Sequence, residues 1–200
     1  MRSKGSILLL VIVLLVAFAG CAGCTTWNSL VSEEEQVEQA WADVESTYQR
    51  RADLIPNLVN TVQGAADFER ETLEAVTDAR ARATSINLTA DDLADPARLQ
   101  AYQEAQAQLS GALGRLLAVA ENYPQLRATE AFRDLQAQLE GTENRINVAR
   151  SRYNEAVRAY NTRVRRFPAA LFAGVFGFDR RAPFEADEGA EQAPTVDFNS

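Results

Sequence analysis

The 200-residue chain carries 28 acidic and 20 basic side chains, which leaves a net charge of −8. Nucleic-acid binding needs a basic face that neutralises phosphates, so this balance argues against a nucleic-acid partner. The chain contains no histidine, its lysine is Lys4, and its two cysteines are Cys21 and Cys24. Residues 25–200 therefore lack the side chains for Ser-His-Asp, Cys-His and Schiff-base catalysis and for imidazole or thiolate metal sites.

The composition also favours an all-helical chain. It includes only six prolines and ten glycines, and its long runs of Ala, Leu, Gln, Glu and Arg consist of strong helix formers. An enzyme of this composition would be restricted to carboxylate or hydroxyl chemistry. We therefore expect a protein that has no catalytic activity, no metal and no cofactor.

The N-terminus combines two basic residues, Arg2 and Lys4, with an uncharged apolar stretch at residues 7–20. This stretch has the length of a signal-peptide hydrophobic region, and its extension to residue 24 is just long enough to span a bilayer. The run Phe-Ala-Gly-Cys that ends at Cys21 resembles a bacterial lipobox, although Phe18 departs from it. Cys21 is therefore a lipidation candidate, and a lipoprotein signal and an uncleaved anchor both stay open.

Charge on the two sides of this stretch predicts its orientation. Basic residues precede it, and Glu33, Glu34 and Glu35 follow it. Because basic flanks stay in the cytoplasm, we expect a bacterial membrane location with the following domain facing away from the cytoplasm.

A first helical pattern begins at Trp27 and continues to about Ala83, with Pro56 in its middle. Proline removes one helical hydrogen bond and crowds the carbonyl group four residues back, which predicts a kink or break there. The chain either folds back at Pro56 into a four-helix bundle, or its first half is a stalk. A stalk would leave Trp41 and its apolar neighbours for a second subunit, so the oligomeric state stays open.

The remaining helices have clear ends. Asp95 is placed to cap a second long helix that starts at Pro96, and Thr129 opens a third. Apolar residues of the third helix recur at steps of four and three over residues 135–167, which indicates a coiled-coil-like seam packed against partner helices. A short helix follows, which Gly177 could terminate.

These patterns predict an all-α fold, namely an up-and-down antiparallel helical bundle with three long helices, the first kinked or broken, and a short C-terminal helix. The signal or anchor occupies residues 1–24, and the bundle domain occupies residues 27–178. Residues 179–200 are acidic and lack periodicity, which predicts a loosely ordered tail.

Polar residues beside the proline are candidates for partner binding, namely Arg50, Arg51, Asp53 and Asn57. Paired guanidinium groups can bind carboxylates or phosphates, whereas pairing with Glu140 and Glu143 of the same chain is the structural alternative.

A second candidate group is the row of Asn147, Asn154 and Asn161, which repeats every seven residues although Asn is a poor helix-interior residue. The row either pairs with residues 48–53 across the bundle or lines a solvated edge. We select Asn154 and Asn161 as partner-binding or polar-network candidates. On this hypothesis Arg51→Ala and Asn154→Ala weaken partner binding without lowering the thermal midpoint far.

Several blocks of residues 27–184 resemble the LemA family of bacterial membrane-associated proteins, among them WNSLVSEEEQVEQAWADVESTYQRRADLIPNLVNTV, LEGTENRINVARSRYNEAVRAYNTRVRRFP and FAGVFGF. The resemblance implies an N-terminally anchored helical bundle and no particular activity. It also implies envelope proteins as partners, with a membrane metalloprotease as one candidate. We therefore expect a non-catalytic scaffold or adaptor, and the alternative is a carboxylate-based enzyme that acts on envelope material.

Overall fold

The computed structural model describes residues 4–64 and 68–185. Within these ranges every regular element is helical and no strand occurs, which confirms the all-α prediction. The elements in chain order are α1 (Lys4–Gln63), α2 (Arg70–Ser85), a 3-10 turn (Asp91–Ala94), α3 (Pro96–Ala120), α4 (Pro124–Arg127), α5 (Glu130–Arg165) and α6 (Ala169–Phe176).

Several helix ends lie where the sequence predicts them. The Asp95 side chain accepts a 2.9 Å hydrogen bond from the backbone N–H of Ala97 and caps α3, whose first residue is Pro96. The Thr129 hydroxyl caps α5. Gly177 ends α6 with a φ of 78°, a left-handed conformation that glycine adopts without steric cost.

Helix α1 runs through Pro56 and ends at Gln63, so the predicted fold-back at the proline is wrong. The carbonyl oxygen of Ala52, which Pro56 leaves without its helical donor, accepts a hydrogen bond from Arg80 instead. The chain therefore does not reverse direction at Pro56, and α2 lies beside this part of α1.

Helices α1 and α5 pack antiparallel along most of the bundle. Glu33 near the start of the packed part of α1 pairs with Arg163 near the end of α5, whereas Arg51 pairs with Glu143 farther along. Helix α2 is antiparallel to α3, because the rings of Phe68 and Tyr123 meet at one end of this pair, while residues 83 and 106 are hydrogen-bonded at the other.

The predicted apolar stalk is not observed. Val37, Trp41 and Val44 are buried within the same chain. The Trp41 ring contacts the aromatic rings of Tyr102 and Tyr153. Neither alternative for the first helix, folding back at the proline or standing free, is therefore correct.

The core consists of two clusters of buried apolar residues that follow one another along the bundle. The proximal cluster, on the side of the N-terminal apolar stretch, includes residues 30–48 of α1, residues 146–164 of α5 and the chain after α6. The distal cluster includes residues 55–62 of α1, α2, the second half of α3 and the start of α5. Helix α2 spans about 24 Å against about 54 Å for α5, so it covers the distal cluster alone.

The space that α2 leaves beside the proximal cluster is filled by residues 86–95 and by the chain after α6. Ala182 is 8% exposed and Phe184 is 4% exposed. The predicted tail therefore differs from the structure near its beginning, because residues 181–185 bind to the bundle. The other tail residues, 186–200, lie outside the described residues. Across the ranges that are described, no helix has both the length and the apolar composition that a membrane span requires.

Candidate functional site

Arg51 lies between the two apolar clusters and is 1% exposed. Its Nη1 donates hydrogen bonds to Ser110 Oγ (2.6 Å) and to Glu143 Oε2 (3.0 Å). Its Nη2 donates to the side-chain oxygen of Gln106 (2.6 Å) and to the backbone carbonyl of the same residue (3.2 Å). We refer to Arg51, Gln106, Ser110 and Glu143 as the polar layer.

The polar layer connects four helices, because Gln106 also donates to the carbonyl oxygen of Ala83 at the end of α2. A buried guanidinium is tolerated only where a counter-charge and hydrogen-bond acceptors surround it, and Glu143 and Gln106 supply both for Nη1 and Nη2. Its Nε has no hydrogen-bond partner within the described residues. The pairing with Glu143 that the sequence offered as the structural alternative is present. The hydrogen bonds of Arg51 are those of a polar network, which can set the register of the helices.

The other three candidates beside the proline, Arg50, Asp53 and Asn57, are exposed on α1. Asp53 accepts a 2.8 Å hydrogen bond from the side chain of Gln49 on the same face. Consecutive helical residues point about 100° apart, so a group of neighbours in sequence is divided between surface and core. Arg51 is therefore separated from the surface that the other three share.

Asn154 and Asn161 bind the chain after α6 instead of residues 48–53. The Asn161 side chain donates to the carbonyl of Arg181 (2.8 Å) and accepts from the backbone N–H of the same residue (2.9 Å). The Asn154 side chain pairs with both backbone groups of Phe184 in the same way, at 3.0 and 2.8 Å. The third member of the row, Asn147, is exposed.

The seven-residue spacing of the two asparagines matches the extended chain that they bind. Seven helical residues rise by about 10.5 Å. Three residues of an extended strand, the separation between Arg181 and Phe184, span about 10 Å. Each asparagine side chain can therefore bind both the backbone N–H and the backbone C=O of one residue in the extended chain.

Other side chains complete a groove around this chain. The Tyr153 hydroxyl donates to the carbonyl of Ala182 (2.9 Å), while the N–H of Ala182 donates to the carbonyl of Leu93 (2.8 Å). Burial raises the pKa of Tyr153 far above its usual range, so its hydroxyl remains a donor. We call residues 181–185 the C-terminal segment, and we define the groove by Glu34, Trp41, Leu93, Tyr153, Asn154 and Asn161.

Two side chains of the C-terminal segment occupy opposite ends of the groove. Arg181 Nη2 donates to Glu34 Oε1 at 2.7 Å. The Phe184 ring stacks on Trp41, with centroids 6.0 Å apart and an interplanar angle of 19°, and meets the edge of Tyr153 at 5.3 Å. This role of the segment was not predicted from the sequence, although the spacing of the asparagines was a signal for it.

A further feature is the apolar end of the molecule. Nearly all exposed large apolar side chains of the described residues lie there, namely residues 9–14 and Trp27 of α1, Phe167 before α6, and Leu171, Val175 and Phe176 of α6. Trp27 holds α6 against α1 through its ring contact with Phe176, at 4.8 Å between centroids. Cys21 also lies in α1, but its side chain is outside the described residues, so its lipidation stays a prediction.

A basic cavity adjoins this apolar end. It has a volume of about 600 Å³, lies between α5 and the C-terminal segment, and is lined by Arg158, Arg165, Arg166 and Arg180 among other residues. Such a cluster of guanidinium groups suits an anionic surface. Among the described residues, no group of three or more His, Cys, Asp or Glu could hold a metal ion.

A model of the LemA family matches residues 40–198. The chain is 25% identical over 186 residues to magnetosome protein MamQ 2 of Paramagnetospirillum magneticum and to magnetosome protein MamQ of Magnetospirillum gryphiswaldense. Each of these alignments covers 85% of this chain and 68% of the relative. Protein LemA of Metamycoplasma hominis is 22% identical over 161 residues, which are 80% of this chain and 69% of the relative. Because the family match extends over most of the chain, the chain belongs to the LemA family.

Proposed function

We propose that this protein is a non-catalytic scaffold, tethered to a bacterial membrane by its N-terminus, whose helical bundle binds protein partners in the cell envelope. The observation that carries the proposal is the apolar end. Its exposed side chains come from two separate parts of the chain, the start of α1 and helix α6, which Trp27 brings together.

Exposed apolar side chains at one end of a bundle are unfavourable in water and favourable in the hydrophobic boundary of a bilayer. Leu171 is 65% exposed and Val175 is 77% exposed, so α6 offers an apolar face beside the apolar stretch of α1. Arg165 and Arg166 lie next to this end and suit anionic lipid headgroups. We therefore place α6 at the membrane surface, with the bundle on the side away from the cytoplasm.

Composition and the polar layer both support binding rather than catalysis. Residues 25–200 contain no histidine, lysine or cysteine. The carboxylate of Glu143, which lies at the exposed edge of the polar layer, is paired with Arg51. We propose that the exposed side chains of Arg50, Asp53 and Asn57 on α1 contact the protein partner. A membrane metalloprotease is one envelope protein of the class that family membership suggests.

The membrane contact can be tested in cells with a photo-crosslinking residue placed singly at positions 171, 175 and 148 of the full chain. We expect lipid adducts from positions 171 and 175. Val148 is a matched control, because it is 50% exposed but lies on α5 away from the apolar end. Equal lipid labelling at all three positions would contradict the proposal.

The scaffold role can be tested with the same crosslinker at positions 50, 53 and 57. We expect one envelope protein to be captured from at least two of these positions and not from position 148. If these positions yield no protein adduct at native expression levels, the proposed surface is wrong. If purified protein cleaves an envelope polymer and an acidic-residue variant does not, the protein is an enzyme.

A further inference from the structure

We propose that the groove is a binding site for an extended segment of a partner protein, and that the chain's own C-terminal segment occupies this site as an intramolecular ligand. The partner segment would carry a basic, a small and an aromatic residue at the positions of Arg181, Ala182 and Phe184. This inference rests on the proposed function, because it assigns the groove to the partner binding proposed there.

Most hydrogen bonds to the main chain of the C-terminal segment come from side chains of the bundle. Asn154 and Asn161 make two such bonds each, and Tyr153 and Arg150 make one each. The N–H of Ala182 adds one main-chain hydrogen bond, to the carbonyl of Leu93. Main-chain groups in folded proteins pair mostly with other main-chain groups. Here side chains bind most of them, as in a groove that recognises an extended peptide through its backbone.

The groove also discriminates between side chains. The carboxylate of Glu34 and the ring face of Tyr160 receive the basic residue at position 181. Position 182 is closely covered, which admits only a small residue. At position 184 the phenylalanine ring stacks on Trp41. The guanidinium of Arg150 lies over the same Phe184 ring, 5.0 Å from its centroid.

Position 183 completes the recognition pattern. Pro183 has no N–H to satisfy and its side chain is exposed, so the groove tolerates an extended proline between the two bound residues. The predicted ligand therefore has four consecutive residues: a basic one, a small one, a proline or any other residue, and an aromatic one. A peptide of this kind loses little conformational entropy on binding, because proline already restricts its backbone.

The C-terminal segment leaves one hydrogen-bond donor of a groove residue without an acceptor. Trp41 is buried in the groove wall, and its Nε1 has no hydrogen-bond partner within the described residues. Buried indole N–H groups usually find an acceptor. Trp41 therefore has a hydrogen-bonding capacity that the C-terminal segment does not use.

The connection that precedes the C-terminal segment allows its release from the groove. The segment follows Gly177, whose left-handed backbone ends α6, and the exposed residues Asp179 and Arg180. No helix has to unfold for the segment to leave. A tethered ligand has an effective concentration of about a millimolar, so it excludes a free peptide of similar affinity until it is released. The C-terminal segment therefore occupies the groove until a partner segment displaces it.

The test uses the purified full chain and a fluorescent peptide with the sequence of residues 178–185. We expect weak binding to the wild type, because the groove is filled, and at least tenfold tighter binding to Phe184→Ala, whose own segment is a poorer competitor. Adding Asn154→Ala and Asn161→Ala to Phe184→Ala should abolish this gain. The same peptide with its phenylalanine at position 184 replaced by alanine is the matched control and should bind at least tenfold more weakly.

If Phe184→Ala loses its helical circular dichroism, Arg181→Glu serves instead, because it repels Glu34 without removing an aromatic ring. Variants that fold but bind the peptide no better than the wild type would overturn the proposal and make the segment an ordinary part of the core. A concentration-dependent dimer of the wild type that Arg181→Glu abolishes would assign the groove to a second copy and overturn the proposed partner.

These outcomes are separate from those of the scaffold test. Peptide binding is measured with purified protein and needs neither a membrane nor a cellular partner. A failed peptide experiment with persistent protein adducts at positions 50, 53 and 57 would reject the groove and retain the scaffold. Peptide binding without any adduct at those positions would retain the groove and reject the proposed scaffold surface.

Discussion

Arg80 Nε donates a 2.8 Å hydrogen bond to the carbonyl oxygen of Ala52, the acceptor that Pro56 leaves without its helical donor. This contact joins α2 to α1 at the residue where α1 would otherwise have an unsatisfied carbonyl. It therefore explains how the helix can continue through the proline, and it fixes α2 beside residue 52 of α1.

We expect Arg80→Ala to lower the free energy of unfolding by about 1–3 kcal/mol, because a half-buried carbonyl loses its donor. In a Pro56→Ala background the residue at position 56 can again donate to Ala52, so the same substitution should cost less. Urea unfolding of the four proteins forms a double-mutant cycle. A coupling energy of zero would show that Arg80 does not compensate for the proline.

Arg51→Ala should be severely destabilising, in contrast to the expectation from sequence that it leaves the thermal midpoint nearly unchanged. Its removal deprives Gln106 and Ser110 of their donor, and each acceptor left unsatisfied costs about 1–3 kcal/mol. The Glu143 side chain is 46% exposed, so water can replace its lost partner. The thermal midpoint should fall by on the order of 10 °C. Arg50→Ala, one residue away on the surface, is the control and should change stability by no more than about 0.5 kcal/mol.

Asn154→Ala and Asn161→Ala should each release the C-terminal segment, because each removes two hydrogen bonds to its main chain. Trypsin reports this directly, since the Arg181–Ala182 bond lies within the groove. We expect cleavage there to be several times faster in either variant. Asn147→Ala, the exposed third member of the row, should be cleaved at the wild-type rate.

Stability should decrease at alkaline pH. Burial is the main cause that raises the pKa of Tyr102 and Tyr153 far above the usual value near 10. Above pH 10 the unfolded chain loses these protons while the folded chain keeps them, so the free energy of unfolding falls as pH rises. Each tyrosine contributes up to about 1.4 kcal/mol per pH unit. Urea unfolding between pH 8 and 11.5 should show this slope, and Tyr102→Phe should reduce it.

The lipidation prediction can be examined with Cys21→Ser and Cys24→Ser in the full chain. If Cys21 is the acylated residue, its substitution should block processing and leave a heavier precursor without acyl label. Cys24→Ser should be processed like the wild type. Equal mobility of all three proteins, with no acyl label on any, would favour the uncleaved anchor.

The helical class and several helix ends were determined by the sequence alone, because the interactions that set them are local. Asp95 and Thr129 cap helices through hydrogen bonds to residues two or three positions later, and Gly177 ends α6 through its own backbone conformation. The apolar seam of α5 likewise needs only the periodicity of one helix. Such features can be derived without knowing what the helix packs against.

The polar sites depended on contacts between distant parts of the chain, and only the tertiary structure decided them. Pro56 ends no helix because Arg80, 28 positions later, satisfies the freed carbonyl. Asn154 and Asn161 bind residues 30 and 20 positions later, in a segment whose composition alone indicates disorder. The physical reason is that an extended segment has no periodicity of its own and gains order only from the groove that α2, by ending at Ser85, leaves between the longer helices.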